Sequence, residues 1–146
     1  MQTKILAISL LAGLGLWSGT PAWTPTQAPQ DDRHSYSVRT LRGRHGFTYD
    51  GTWIGTGPVA SSGRIDFDGR GNCHASYTTS VNGIAFRGTW VGTYTVNDDG
   101  TGNIMIQLPH LNRVARGSFV ILDRGNASYF TATDNGFAVT GRTERM

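Results

Sequence analysis

Ile84-Ala-Phe-Arg-Gly-Thr-Trp-Val-Gly-Thr-Tyr-Thr-Val96 runs directly into Asn97-Asp98-Asp99-Gly100-Thr101-Gly102. In an extended chain successive side chains point to opposite faces, so Phe86, Trp90, Tyr94 and Val96 share one face. Gly88 and Gly92 fall on that same face. Glycines between large aromatics let a strand bend or a neighbouring backbone come close, as a closing sheet requires. The stretch that follows is rich in residues that tolerate positive φ or cap a turn. Together they predict a long strand ending in a tight reversal.

The same grammar extends outward in both directions. Turn signals stand at Asp68-Gly69-Arg70-Gly71-Asn72, Val81-Asn82-Gly83, Asp123-Arg124-Gly125-Asn126 and Asp134-Asn135-Gly136. Between them, aromatic and β-branched residues alternate with polar ones, and no stretch repeats at helical spacing. Strands are predicted near 46–54, 59–67, 73–80, 84–96, 103–108, 114–122, 127–133 and 137–143. A chain of hairpins of this kind is all-β, and its simplest arrangement is a single antiparallel meander. Closing the meander removes its two free edges, which gives a β-barrel of about eight strands. A two-sheet sandwich is the competing architecture.

The first residues follow other rules. Lys4 precedes an apolar run from Ile5 to Trp17, and small residues follow at Thr20 and Ala22. These are the parts of a cleavable secretory signal over residues 1–22. The run is short of the roughly 20 residues that span a bilayer as a helix. The expected destination is the periplasm or the exterior, with no stable membrane span once the signal is removed. Residues 23–43, with Pro25, Pro29 and little to bury, are expected to form a flexible linker. The barrel domain is then 44–146. Within the linker and just past it, Arg33, Arg39, Arg42 and Arg44 cluster beside His34 and His45; a polyanion or an anionic membrane surface is one reading of them, and a solvated, flexible leader is the expected one.

Charge and cysteine content exclude several classes. Lys4 is the only lysine, and basic residues outnumber acidic ones only slightly, 13 to 10. No basic stripe suits a nucleic-acid partner. Cys73 is the only cysteine, so no internal disulfide can form. Its alternation with polar neighbours makes it a small core-facing residue.

Motifs for chemistry are sparse. Most aspartates sit in turns, where they cap the local backbone. The four histidines are too far apart in sequence for the spacing of a metal site, so no metal or other cofactor is expected. Glu144, the only glutamate, neighbours Arg142 and Arg145 and reads as a surface pair. The aromatics are more informative. Tyr49, Trp53, Tyr77, Trp90 and Tyr94 carry hydroxyl or indole donors on faces predicted to point inward, and are the candidate ligand-binding residues.

The turn series resembles one family. Arg64-Ile-Asp-Phe-Asp-Gly-Arg-Gly-Asn72, Ser80-Val-Asn-Gly83, Gly92-Thr-Tyr-Thr-Val-Asn97, Asp123-Arg-Gly125 and Thr140-Gly-Arg142 stand in an order similar to that of exported bacterial proteins with an allene oxide cyclase barrel-like domain, a small calycin-type barrel. The likeness covers residues of about 46–145. It implies a barrel able to hold a small apolar or aromatic molecule, and it carries over no catalytic residue. Three functions follow as expectations: a non-catalytic binder, a cyclase or isomerase that shapes a substrate in the cavity, and a structural or envelope-interaction protein with a filled core. Either cavity function calls for a space of roughly 300 Å³ or more.

Overall fold

The computed structural model describes residues 35–146; the signal expected over 1–22 and residues 23–34 of the expected linker lie outside them. Eight strands follow one another: β1 (Arg42–Trp53), β2 (Gly57–Asp68), β3 (Asn72–Val81), β4 (Ile84–Val96), β5 (Thr101–Leu108), β6 (Arg113–Leu122), β7 (Ala127–Ala132) and β8 (Phe137–Arg145). Each pairs antiparallel with the next, and β8 pairs with β1, so the meander closes into a barrel. The sandwich is thereby excluded.

Local chemistry accounts for the reversals. Asn82 and Gly83 both have positive φ, the backbone of a two-residue hairpin whose twist matches its strands. The carboxylate of Asp68 accepts from the amides of Arg70 (2.6 Å) and Asn72 (2.9 Å) and from the Asn72 side chain (2.7 Å). Those donors, the Asn72 side chain foremost, hold it below the usual carboxylate range. Asp99 is lowered likewise, by the Thr101 hydroxyl and then the Thr101 amide.

Inside the wall, aromatics and glycines face one another across the strands. Phe47 stands opposite Gly63, Gly63 opposite Tyr77, and Tyr77 opposite Gly88. Around the other side Tyr49 faces Gly141, Gly141 faces Phe130, and Phe119 faces Gly102. The space over Gly63, Gly102 and Gly141 is occupied. A Cβ on Gly141 would stand 2.3 Å from Phe130 Cζ, and one on Gly102 would stand 2.3 Å from Phe119 Cζ. Large rings therefore fit a narrow barrel because their cross-strand partners have no side chain.

One end is plugged. The turns β2–β3, β4–β5 and β6–β7 share it with the chain entering β1 and leaving β8. A 3-10 turn, Val38–Thr40, delivers Leu41 into the barrel, where it is 1% exposed. Tyr36 and Val38 pack on the same cluster. Residues 36–43 thus belong to the folded body and not to a linker, because their apolar side chains close the barrel end. His45 is likewise not part of a solvated basic cluster. It is fully buried, with Nε2 3.0 Å from the Gly125 carbonyl and its ring edge-on to Phe67. The carbonyl reaches it because Gly125, at φ +95°, lies so close to Thr40 that a Cβ would meet the Thr40 oxygen at 2.4 Å.

Cys73 is buried beside this plug, as its alternation predicts. Burial first, and the charge of Asp68 second, push its thiol up to about 12. At about pH 8 the thiolate fraction is near one in ten thousand, so the native protein should not react with a disulfide reagent until it unfolds. The folded value lies above the unfolded one, so the thiol's contribution is complete below the ordinary value of 9.0 and is lost as pH rises toward 12. Chemical denaturation near pH 8 and near pH 10.5 checks this: Cys73→Ala should lose less stability over that interval than the natural chain.

Candidate functional site

The barrel holds a cavity of about 150 Å³, floored by Leu41 and walled by residues from all eight strands. It runs toward the end opposite the plug, where the turns β1–β2, β3–β4, β5–β6 and β7–β8 gather. Its wall is apolar almost throughout. Ile104, Ile106 and Leu108 of β5 form one side; Phe47, Tyr49 and Phe130 form another.

Four of the five sequence-predicted residues line this cavity: Tyr49, Trp53, Tyr77 and Trp90. Phe47 stacks on Tyr49 with ring centres 6.1 Å apart and tilts against Trp90 at 6.3 Å. Phe130 meets Tyr49 edge-on at 6.3 Å. Trp53 meets Phe137 edge-on at 5.7 Å, and Tyr77 meets Phe86 edge-on at 6.5 Å, both toward the open end. Such offset and edge-to-face pairs are the favoured aromatic geometries.

Tyr94 is the exception. It points inward, as its alternation requires, but at the plugged end and outside the cavity wall. Its hydroxyl lies 2.9 Å from the Val38 carbonyl and 3.1 Å from the Leu41 carbonyl, and accepts from the Gly69 amide at 3.1 Å. One hydroxyl proton is shared between two carbonyls. Tyr94 fastens the plug to β4 and leaves nothing to offer a ligand.

Polar groups in the cavity are few and mostly committed. Ser61 donates to the Thr78 carbonyl (3.1 Å) and lies 2.7 Å from Thr79 Oγ1, which lies 3.4 Å from the Tyr49 hydroxyl. With the Ser61 proton spent, Thr79 donates to Ser61 and Tyr49 donates to Thr79. Ser128 and Thr143 satisfy one another at 2.8 Å. Tyr77 differs: its hydroxyl makes no hydrogen bond among the described residues. Desolvation, then the neighbouring Tyr49, raise its pKa, so it remains a neutral donor. Arg116 is the one charged residue on the wall.

Acids and bases are placed outside instead. Asp66, on the outer wall, lies 3.1 Å from Arg44, 3.0 Å from Arg64 and 3.5 Å from His74. Desolvation acts to raise its pKa, but the Arg44 hydrogen bond and the charges of Arg64, Arg44 and His74 outweigh it and hold the carboxyl low. Glu144 pairs with Arg142 at the surface. Among the described residues no group of three or more His, Cys, Asp and Glu side chains could hold a metal.

Two findings refine the sequence expectation. The cavity is about half the size expected, because the aromatics that line it also fill much of it. Phe47, Phe86, Ile104, Ile106, Phe130 and Phe137 belong to the wall as well, and their inward alternation was the signal that could have named them. No protein-family model matches the chain, and no curated protein matches it.

Proposed function

We propose that this protein is an exported, non-catalytic barrel that binds a single small apolar or aromatic group, of the kind its resemblance to the allene oxide cyclase barrel-like proteins implies. One observation carries this: a cavity of about 150 Å³ with an aromatic and aliphatic wall. A cavity near that volume with such a lining holds benzene. At about half the roughly 300 Å³ expected for a binder of a whole small molecule, the cavity restricts the ligand to one ring or the end of a chain. The free Tyr77 hydroxyl favours a ligand with one hydrogen-bond acceptor. The same volume speaks against a cyclase, since a flexible substrate folded whole needs far more room.

Equilibrium binding of benzene, phenol and indole, read by heat release and by the rise in Tm, tests the proposal. A ligand at about a hundred times its Kd should add about 2.7 kcal/mol to stability. Tyr77→Phe should weaken phenol roughly tenfold and leave benzene unchanged. Ala132→Leu, which fills the cavity, should abolish binding while the Tm holds. Absence of binding by all three probes up to millimolar concentration would mean a filled core.

A further inference from the structure

We infer, on the binding function proposed above, that the ligand is a phenol whose hydroxyl bridges Tyr77 and Tyr49. The direction of the hydrogen bonds in the cavity assigns it. Each hydroxyl brings one proton and two lone pairs, whereas a carbonyl only accepts. The Ser61 hydroxyl donates to the Thr78 carbonyl at 3.1 Å. That carbonyl sets the direction of everything behind it: Thr79 donates to Ser61 across 2.7 Å, and Tyr49 donates to Thr79 across 3.4 Å. Protons therefore run one way, from Tyr49 through Thr79 and Ser61 to the backbone. The chain begins at the Tyr49 oxygen, whose proton is committed and whose lone pairs take no bond among the described residues.

Tyr77 is placed to precede that oxygen. Thr79 and Tyr77 stand two residues apart on β3 and share its inner face. The Tyr49 hydroxyl crosses β2 to reach Thr79, and so arrives one inward position away from Tyr77. Both tyrosines line the same cavity, and Tyr49 helps to raise the Tyr77 pKa. Tyr77 still holds a proton to give. One free donor and one free acceptor thus meet. A ligand carbonyl, ether or ring nitrogen would satisfy Tyr77 alone and leave the Tyr49 lone pairs without a partner. A hydroxyl accepts from Tyr77 and donates to Tyr49, which extends the chain to Tyr77, ligand, Tyr49, Thr79, Ser61 and the Thr78 carbonyl, each bond polarising the next. Other polar groups on the wall do not offer this pair. The indole N–H groups of Trp53 and Trp90 donate only. Ser128 and Thr143 hold one another on β7 and β8, and the Arg116 guanidinium is drawn to Asp134. Phe47, Trp90 and Phe130 surround the remaining space with rings, so the hydroxyl belongs to a flat ring.

The test titrates the full chain and its variants at about pH 8 with benzene, which has neither group, pyridine, which only accepts, and phenol, which does both. Affinities are read as ratios to benzene within each variant, so a loosened fold that weakens all three rings equally leaves the ratios unchanged. Tyr77→Phe should lower the ratios for phenol and pyridine roughly tenfold each. Tyr49→Phe should lower the ratio for phenol by a similar factor and spare pyridine. Thr79→Val removes the acceptor that holds the Tyr49 proton, so Tyr49 turns donor toward the cavity; in that background Tyr77→Phe should leave pyridine nearly unchanged, while Thr79→Ser keeps the natural pattern. A phenol ratio that Tyr49→Phe does not move would overturn the bridge. Equal losses of pyridine and phenol in Tyr49→Phe would mean that the chain runs the other way, and loss of the phenol preference in Ser128→Ala would place the ligand hydroxyl at β7; either overturns the inference. Failure of all three rings to bind removes the cavity function and this inference with it, whereas benzene binding without the tyrosine pattern removes this inference alone.

Discussion

Phe119→Ala should lower the free energy of unfolding by about 4 kcal/mol in chemical denaturation. Phe119 is buried and covers Gly102 on the neighbouring strand. Removing the ring takes away its own transfer free energy and leaves a void that two backbones joined by a hydrogen-bonded ladder cannot close. The reciprocal change is also costly. Gly102→Ala puts a methyl 2.3 Å from the ring and 2.2 Å from the Thr95 carbonyl, and should cost about 3 kcal/mol. The ring clash is absent in the double variant, but the carbonyl clash persists. The double variant should therefore lose about 1 kcal/mol less than the sum of the singles. Strict additivity would mean that ring and glycine do not share one space.

Tyr94→Phe comes next in size, with an expected loss of about 2 kcal/mol. The substitution keeps the ring edge-on to Phe67 at 5.1 Å and deletes only the hydroxyl. The Gly69 amide and the Val38 and Leu41 carbonyls then lose their common partner inside the plug. Local opening should accompany the loss: trypsin should cut after Arg39 faster than in the natural chain. Tyr77→Phe is the control, since its hydroxyl holds no partner among the described residues, and should change stability by less than about 0.5 kcal/mol. Equal losses in the two variants would refute the fastening role of Tyr94.

The strands were legible because alternation and turn chemistry act locally. β4 has the bounds its aromatics and glycines predict, and the other strands differ by a few residues at their ends. His45 was misjudged from its basic neighbours, although it shares its face of β1 with Phe47 and Tyr49. Leu41 was hidden for another reason. A residue that plugs a barrel shows no periodicity of its own, because its partners, Phe67, Tyr94 and Ile121, are far away in sequence. Tyr94 shows the limit of alternation. Its inward direction follows from parity, but its depth along the barrel axis follows from the stagger of the closed sheet, which no single strand encodes. Cavity size was illegible on similar grounds: it is what remains after all the inward side chains have been placed together.

Closure between β1 and β8 has a consequence for how the chain reaches this state. Every other ladder joins strands adjacent in sequence, and each can form as its hairpin appears. The ladder from His45–Arg145 to Trp53–Phe137 joins the two extremes of the domain and bears nearly the whole loop-closure entropy of the fold. Wherever the chain folds, β1 keeps an open edge until the last strand joins it. Until then the growing sheet is a curled ribbon with two reactive margins, and the cavity has no complete wall.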